Sequence, residues 1–357
     1  MDRWSNEQRN KHPKKRIRHR RLVGGEGMKQ DPTYTPPFTI TSEILNLVSE
    51  ISAEAAKLEL LSPRIITPKL RKAYKIQTIT GTLEIEGNRL GAEKVTALLE
   101  GKRVLGSVRE IAEVQGAIRV YDALDTFDPH KLDDLLRAHK MLMGEILTDA
   151  GEFRSSNVGV GGSEGVVHVA PPFVEVPRLM HELFAWLQET DSHPLIASAV
   201  FHYEFEFIHP FSDGNGRIGR LWQTLILDRY KPVFSAIPVE SVIREHQQAY
   251  YEALEASGSA GESTPFIAFM LKMLLETITD TLESDQVNDY VSDQVKKLLE
   301  VMGDEWLSSA EIMEKLGLSH RPTFRKNYLN PAIERGLIEM RTPESPRNPK
   351  QKYRKKS

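Results

Sequence analysis

The sequence contains no cysteine among its 357 residues, which excludes disulfide bonds and cysteine-ligated metal centres. It also lacks any apolar run close to the roughly 18 residues that a membrane span needs, and it shows no internal repeat. The formal net charge is only -3, although basic residues concentrate near both ends. We therefore expect a cytoplasmic globular protein with no membrane contact, long enough for more than one domain.

The first part of the chain is a basic tail without the apolar segment of a secretion signal. A stretch rich in glycine follows it at positions 24–27, and we expect residues 1–35 to be disordered. A nucleic-acid-binding arm is the alternative. The basic residues of the tail are Lys11, Lys14, Lys15, Arg16, Arg18, Arg20 and Arg21.

The most informative segment is 209–220, His-Pro-Phe-Ser-Asp-Gly-Asn-Gly-Arg-Ile-Gly-Arg. Histidine is the side chain whose unperturbed pKa best suits a general base near neutral pH, which makes His209 a candidate base. Pro210 disfavours a regular helix through His209. Asp213 offers the hard oxygen ligand that Mg2+ prefers. Gly214–Gly216 would let backbone N–H groups converge on an anion. Each feature alone is common in ordinary turns, but together they indicate phosphate chemistry.

The same segment opens a helix, because apolar residues recur after it at helical spacing. A helix N-terminus favours phosphate, and Arg217 and Arg220 are spaced for bidentate phosphate contacts. The alternative for these two arginines is a solvated surface. The apolar positions are Ile218, Leu221, Trp222, Leu225 and Ile226.

Segment 209–220 matches every fixed position of the His-Pro-Phe-x-Asp-Gly-Asn-Gly-Arg-x-x-Arg signature of Fic-domain (Fic/Doc) proteins, and the chain resembles that family. The apolar helix predicted over Leu195–Ile208 is similar to the family helix that delivers the histidine. The resemblance implies a mainly α protein, a Fic-fold helical bundle with a β-hairpin flap and a small C-terminal winged-helix domain. Met28 is similar to the usual family start, so residues 1–27 could lie upstream of the natural one.

The resemblance implies a protein adenylyltransferase that moves AMP from ATP to a Ser, Thr or Tyr hydroxyl of a protein, itself included. His209 would deprotonate that hydroxyl, and Asp213 would hold Mg2+ on the phosphates. Asn215 and the adjoining N–H groups would grip the α- and β-phosphates. Arg217 and Arg220 would hold the β/γ end.

Two further positions are assigned to the nucleotide by the resemblance. Tyr251 lies where relatives line the adenine pocket, and His246 lies nearby. The match loosens here, because His246 and Gln247 replace a frequent Asn-Arg pair. We expect His246 and Tyr251 to bind the base.

The segment 158–169 alternates β-branched residues around a Gly/Ser turn, which predicts a hairpin. It is not a Walker loop, because no Gly-Lys-Ser/Thr follows. The family's equivalent hairpin docks a target segment by strand addition, which assigns target docking to Val158, Val160, Val167 and Val169. An ordinary surface hairpin is the alternative.

Upstream, Thr67 and Pro68 are a good N-cap and first residue of a helix, and Gly87 is a plausible stop. Glu86 would then lie at the C-terminal end, where a carboxylate opposes the helix dipole and favours an external cation. The segment from Thr82 to Gly87 resembles the family's inhibitory pattern Ser/Thr-x-x-x-Glu-Gly/Asn. The resemblance implies a built-in lock of Thr82, Glu86 and Gly87, in which Glu86 pairs with Arg220 and obstructs the γ-phosphate. A surface glutamate is the alternative.

We divide the chain into the tail (1–35), an N-terminal helical region with the inhibitory helix (36–110), the catalytic core (111–284) and a winged helix-turn-helix domain (285–357). In the last we expect helices over 293–302, 309–316 and 321–334, and wing strands over 336–340 and 351–354. Its basic residues could contact DNA phosphates, or the domain could bind proteins or form a homodimer. They are Arg321, Arg325, Lys326, Lys350, Lys352, Arg354, Lys355 and Lys356.

Two other functions use the same residues. A phosphodiesterase that removes AMP would share the site, with Glu86 positioning water. An ATP-sensing, DNA-binding regulator would need no chemistry, but intact His209 and Asp213 argue against it.

Overall fold

The computed structural model describes residues 34–162, 165–283, 293–303, 305–334, 336–345, 348 and 351–356. The basic stretch of the predicted tail lies outside these residues. Among the residues described, no helix is both long and apolar enough to cross a lipid bilayer.

Helices dominate the part of the chain up to residue 283, in agreement with the predicted fold class. Thr41, Thr67 and Ser107 each cap a helix N-terminus with the side-chain oxygen. The helices are α1 (Ser42–Ile65), α2 (Pro68–Ile85), α3 (Gly91–Leu99), α4 (Val108–Asp122), α5 (Leu132–Met143), α6 (Val176–Glu189), α7 (Pro194–Ile208), α8 (Asn215–Tyr230), α9 (Val239–Glu245), α10 (Gln247–Ala260) and α11 (Thr264–Glu283).

One hydrophobic core runs through these helices, with members from Ile44 in α1 to Ile278 in α11. Helix α7 is buried along almost its whole length, as its nearly continuous apolar sequence requires. Helix α8 packs against it and buries Trp222 completely. The segment between α7 and α8 is therefore anchored at both ends in the core.

The hairpin expected over 158–169 is present between α5 and α6. Strand β1 (Gly159–Gly162) pairs antiparallel with β2 (Gly165–Val169), and Gly159 lies opposite Val169. The register shifts between Val160 and Gly161, which is a bulge.

The C-terminal domain has a second hydrophobic core, with members from Val295 to Tyr353. Its elements are α12 (Asp293–Val301), β3 (Leu307–Ser308), α13 (Ser309–Lys315), α14 (Arg321–Phe324), a π-helical segment (Arg325–Leu329), α15 (Asn330–Glu334), β4 (Ile338–Met340) and β5 (Lys352–Lys355). The sheet order is β3-β5-β4, so β3 is a strand that the sequence did not predict. The winged-helix type stays a prediction.

The helix expected over 321–334 contains Pro331, and a π-helical segment, Arg325–Leu329, precedes that proline. Proline has no N–H to donate to the residue four positions earlier. The N–H of Asn330 donates instead to the Arg325 carbonyl, five residues back. The chain therefore stays helical from Arg321 to Glu334 with one widened turn.

Candidate active site

The turn between α7 and α8 has an unusual backbone at His209. Helix α7 ends at Ile208, and His209 adopts φ 49° and ψ 61°. It is the only non-glycine residue with positive φ in the described part of the chain. That conformation costs free energy for an L-residue with a side chain, so the surrounding contacts must hold it.

Gly214 is the first of the residues predicted to bind phosphate through the backbone. It has φ 86° and directly precedes Asn215, the first residue of α8. The Asn215 side chain bonds across the loop: its Oδ1 accepts from the Phe211 N–H at 2.9 Å, and its Nδ2 donates to the Phe211 carbonyl at 3.0 Å. Both groups are buried. Asn215 thus shapes the loop from inside.

Arg220 connects this loop to helix α2. Its side chain is 1% exposed, and its Nη2 donates to Glu86 Oε1 at 2.7 Å. Its Nε donates to Thr82 Oγ1 at 2.9 Å, and Nη2 also reaches the Thr82 carbonyl at 3.1 Å. Burial alone would lower the pKa of Arg220, but the negative charge of Glu86 and its hydrogen bond help to raise it.

The Glu86 carboxylate also lies against the first turn of α8. A Cβ added to Gly216 would lie 2.3 Å from Glu86 Oε1, so the absence of a side chain at Gly216 admits the carboxylate. Helix α2 ends at Ile85, and Gly87 follows Glu86 with φ 85°. A negative group therefore occupies the helix N-terminus where an anion would bind.

Several polar atoms at the site are buried without a hydrogen-bond partner among the residues that the structure describes. They include Nη1 of Arg220 and Nε and Nη1 of Arg217, although Glu113 lies 3.5 Å from that Nη1. The Nδ1 of His209 also lacks a partner. Unpaired buried polar groups are costly, and their convergence is typical of a site that receives an anionic ligand.

Comparison with known proteins places this geometry in a family. The model of the Fic/DOC family matches residues 129–227, and that of the Filamentation induced by cAMP protein Fic-like, C-terminal domain, matches residues 293–355. A Fic family protein from Desulfovibrio desulfuricans G20 is 49% identical, with a TM-score of 0.69 over 91% of this chain and 99% of that one. The chain belongs to the Fic family.

Curated relatives carry a more specific name. Protein adenylyltransferase Fic from Culex quinquefasciatus is 33% identical over 56% of this chain and 40% of the relative. The protein of the same name from Aedes aegypti is 32% identical with the same coverage. The chain thus spans about two fifths of the length of these relatives.

The surroundings of His209 act on its pKa in opposite directions. Burial lowers the pKa of His209, and the charge of Glu206 opposes that effect. A lowered pKa keeps the imidazole neutral near pH 7, which is the form that can take a proton.

Asp213 is engaged by two arginines. Its Oδ2 accepts from Arg109 Nη2 at 2.6 Å, and its Oδ1 accepts from Arg217 Nη2 at 3.0 Å and from the Gly214 N–H at 2.6 Å. The Arg109 side chain is 61% exposed, and exposed ion pairs of this kind contribute little to folding stability.

The donor set at Asp213 fits Mg2+ brought in with a phosphate chain. Mg2+ is commonly held by one or two carboxylates plus substrate phosphates, and the Asp213 side chain is 34% exposed. No group of three or more His, Asp or Glu side chains among the described residues could hold a metal alone. The remaining ligands would have to come from phosphate and water.

His139 supports the loop from α5 and was missed by the sequence analysis. Its Nε2 lies 2.9 Å from the Asp213 carbonyl, and its Nδ1 accepts from the Gly151 N–H at 2.8 Å, so Nε2 carries the proton. The ring stacks on Phe211 with centroids 3.7 Å apart. Burial lowers the pKa of His139 to about 4. No local motif distinguishes it from any other histidine on an amphipathic helix.

The residues assigned to the adenine base make other contacts. The hydroxyl of Tyr251 donates to the Ile85 carbonyl at 3.2 Å, and Gln247 Nε2 donates to the same oxygen at 2.9 Å. His246 Nε2 lies 3.0 Å from Glu276 Oε1 in α11. Gln247 and Tyr251 therefore hold the end of α2, and base binding stays a prediction.

The flap valines are placed only in part. Val158 is half-buried just before β1, and Val169 is 75% exposed at the end of β2. Val160 and Val167 lie in strands β1 and β2, and the structure describes only their backbone. Target docking by these residues stays a prediction.

Proposed function

We propose that this chain is a protein adenylyltransferase whose site is restrained by Glu86. The name of the curated relatives, protein adenylyltransferase Fic, supports the activity. The observation that carries the proposal is the contact of the Glu86 carboxylate with both Arg220 and Gly216. This contact supports the proposal because the carboxylate lies at the first turn of α8, where the phosphates would bind.

In the proposed reaction, His209 takes the proton from a Ser, Thr or Tyr hydroxyl of the target protein. The hydroxyl oxygen attacks the α-phosphorus of ATP, the new P–O bond forms, and the bond from that phosphorus to the bridging oxygen breaks. Pyrophosphate leaves, and the target keeps AMP. The half-buried imidazole of His209, kept neutral by its lowered pKa, suits this role.

The phosphates would lie on the first turn of α8, near the unpaired donors of Arg217 and Arg220. Asp213 would hold Mg2+, which supplies neutralising positive charge and orients the phosphate oxygens. Arg109 would have to leave the Asp213 carboxylate. Because the Arg109 side chain is highly exposed, breaking this ion pair would cost little free energy. Catalysis would then consist mainly of positioning and electrostatic stabilisation.

Glu86 opposes this arrangement in two ways. It holds a nitrogen of Arg220 at 2.7 Å, and it brings negative charge to the place of the triphosphate. Moving a population from 1:99 to 99:1 needs roughly 5.5 kcal/mol, so a pair with this packing could keep most molecules unproductive.

The test is the initial rate of AMP incorporation from labelled Mg-ATP into the protein itself. Glu86→Gly should raise the rate by about tenfold or more, the scale that 1.4 kcal/mol of lost inhibition gives. Glu84→Gln is a matched control, because Glu84 lies on the same helix end and pairs with Arg244 instead. The double variant Glu86→Gly/His209→Ala should lose the gain. A Glu86→Gly rate no higher than wild type would eliminate the lock.

Removal of AMP is the other outcome that the same site allows. Labelled, self-modified Glu86→Gly protein can be purified from ATP and mixed with fresh wild-type chain. Release of label by wild type, but not by fresh Glu86→Gly protein, would assign a hydrolytic role to Glu86. Stable label with both would leave transfer as the activity.

DNA contact by the C-terminal domain is a separate hypothesis. Its support is the exposed set Arg321, Arg325 and Lys326 on the helices. Arg354 is less available, because it pairs with Glu339 and lies over the Trp306 ring. Gel-shift binding that weakens steeply with salt would support it, and none at low salt would favour protein contacts. Homodimer formation is a further hypothesis, which light scattering would test.

A further inference from the structure

Arg154 is a buried arginine located between α5 and the flap, and no carboxylate among the described residues pairs with it. It is only 3% exposed. Its guanidinium donates to four backbone carbonyl oxygens, and its own N–H donates to a fifth. The acceptors are His209 O (2.8 Å, from Nε), Ser156 O (2.8 Å, from Nη1), Pro171 O (2.5 Å, from Nη2), Ile208 O (3.3 Å, from Nη2) and Pro210 O (2.9 Å, from the backbone N–H).

These acceptors belong to three separate pieces of chain. Ser156 precedes β1, Pro171 follows β2, and residues 208–210 form the turn that carries the catalytic candidate. One side chain thus ties both ends of the hairpin to the turn of His209.

The choice of arginine is explained by this geometry. Its planar fork carries five donors in fixed directions and stays charged at any physiological pH. Burying a charge without a counter-charge is costly, and burial indeed lowers the pKa of Arg154. Hydrogen bonds to the converging carbonyl oxygens offset that cost only if these segments keep their arrangement.

We propose that Arg154 is a positioning residue that holds the His209 imidazole in register with the flap. It acts through the backbone: its Nε bond to the His209 carbonyl constrains a residue in the left-handed conformation. The inference rests on the proposed roles of His209 and the flap. The part of the turn that would bind phosphate is held independently by hydrogen bonds of Asn215 and His139. Loss of Arg154 should therefore impair the position of His209 more than the binding of ATP.

The kinetic test uses full-length Glu86→Gly protein as the parent, with Arg154→Met and Arg154→Lys introduced into it. Misplacement of a reacting group by about 1 Å can cost about 100-fold. We therefore expect Arg154→Met to lower kcat for AMP transfer by about 10- to 100-fold, with KM for ATP changed less than about twofold. Arg154→Lys keeps the charge but not the planar fork, so its kcat should lie between those of the parent and of Arg154→Met.

Arg229→Met is the matched control. Arg229 also donates to two backbone carbonyls, those of Asp125 and Phe127, but away from the His209 turn. A kcat loss in Arg154→Met no larger than in Arg229→Met would overturn the proposal. So would a rise in KM for ATP that matches the fall in kcat.

A second readout does not depend on activity. The charged groups that act on His209 are Glu206, Glu86 and Arg154, and the Arg154 charge acts with burial to lower the His209 pKa. In histidine side-chain NMR, the His209 signal is identified by its loss in His209→Ala. It should titrate at higher pH in Arg154→Met than in the parent, and Arg154→Lys should stay closer to the parent.

The two tests separate the two proposals. If the parent transfers no AMP, the proposed function fails, and the NMR titration still decides whether Arg154 controls His209. An unchanged His209 titration in both Arg154 variants would overturn the positioning role. If Arg154→Met does not give folded protein, Arg154→Gln, which also removes both the charge and the fork, replaces it in both measurements.

Discussion

The turn from His209 to Asn215 and the C-terminal end of α2 meet at Arg220, and they are held in different ways. The turn is fixed by buried bonds: Asn215 joins two atoms of Phe211, and His139 holds the Asp213 carbonyl. The end of α2 presents Glu86, whose side chain is 33% exposed and whose carboxylate accepts a hydrogen bond from Arg220, the one close partner among the described residues.

Under the proposed function, this difference would separate a preorganised site from a removable restraint. Buried, satisfied hydrogen bonds keep a loop in one conformation before a ligand arrives. A half-exposed carboxylate with one close partner can leave without exposing the core. The contrast predicts that changes on the turn side damage the fold and the chemistry, whereas changes on the α2 side release activity.

The largest change in stability and activity should come from Asn215→Ala, which removes the hydrogen bonds that hold the turn. The change leaves the buried N–H and carbonyl of Phe211 without partners, which costs about 1–3 kcal/mol of stability. We expect a melting temperature lower by several degrees and loss of AMP transfer in the Glu86→Gly background. Asn157→Ala is the control for thermal melting, because the exposed Asn157 also accepts a backbone N–H, that of Phe173. Equal melting temperatures for the two variants would contradict a preorganised turn.

A smaller effect is expected from pushing α2 away with Gly81→Ala. A Cβ there would lie 2.7 Å from the carbonyl carbon and oxygen of Glu240 and 2.8 Å from the Ser241 nitrogen, so α2 and α9 must separate. We expect about a tenfold gain in AMP transfer together with a stability loss of about 1–3 kcal/mol. Gly258→Ala is the matched helical control, since nothing lies within 4 Å of its Cβ. A destabilised Gly81→Ala protein with the wild-type rate would show that α2 can move without freeing Arg220.

The smallest effect should come from loosening the end of α2 with Gln247→Ala. Gln247 Nε2 loses its hydrogen bonds to the Ile85 carbonyl and to the Tyr251 hydroxyl, while the bond from Tyr251 to the Ile85 carbonyl remains. A typical bond contributes about 0.5–1.5 kcal/mol, so the rate of self-modification should rise by about two- to tenfold. Gln248→Ala serves as the control, because the Gln248 side chain donates to Glu252 in the same helix and not to α2 among the described hydrogen bonds. An unchanged rate in Gln247→Ala would mean that Arg220 and Thr82 hold the lock alone.

Sequence reasoning reached the features that follow local rules. Thr67 and Pro68 open α2, Gly87 follows its end, and α7 stops before the His209-Pro210 pair. The mainly helical Fic fold was predicted and is confirmed. These features depend on backbone preferences of neighbouring residues and on periodicity along one helix.

Other features could not be predicted because their partners are far apart in sequence. Arg154 and His209 are separated by 55 positions, His139 and Asp213 by 74, and Gln247 and Ile85 by 162. Strand β3 was missed because two residues carry no periodic signal. The Glu86–Arg220 contact spans 134 positions and was expected only through the family resemblance.

The sequence by itself determined the chemistry that this protein can offer: an imidazole, a carboxylate and two arginines in twelve residues, between a buried helix and a second helix. Only the tertiary structure decided which of these groups are free. It placed the Glu86 carboxylate against Gly216 in the first turn of α8, paired Asp213 with Arg109 and Arg217, and brought Tyr251 and Gln247 to the end of α2. The physical reason is that burial and hydrogen bonding depend on which distant segments the core brings together, and no local pattern encodes that choice.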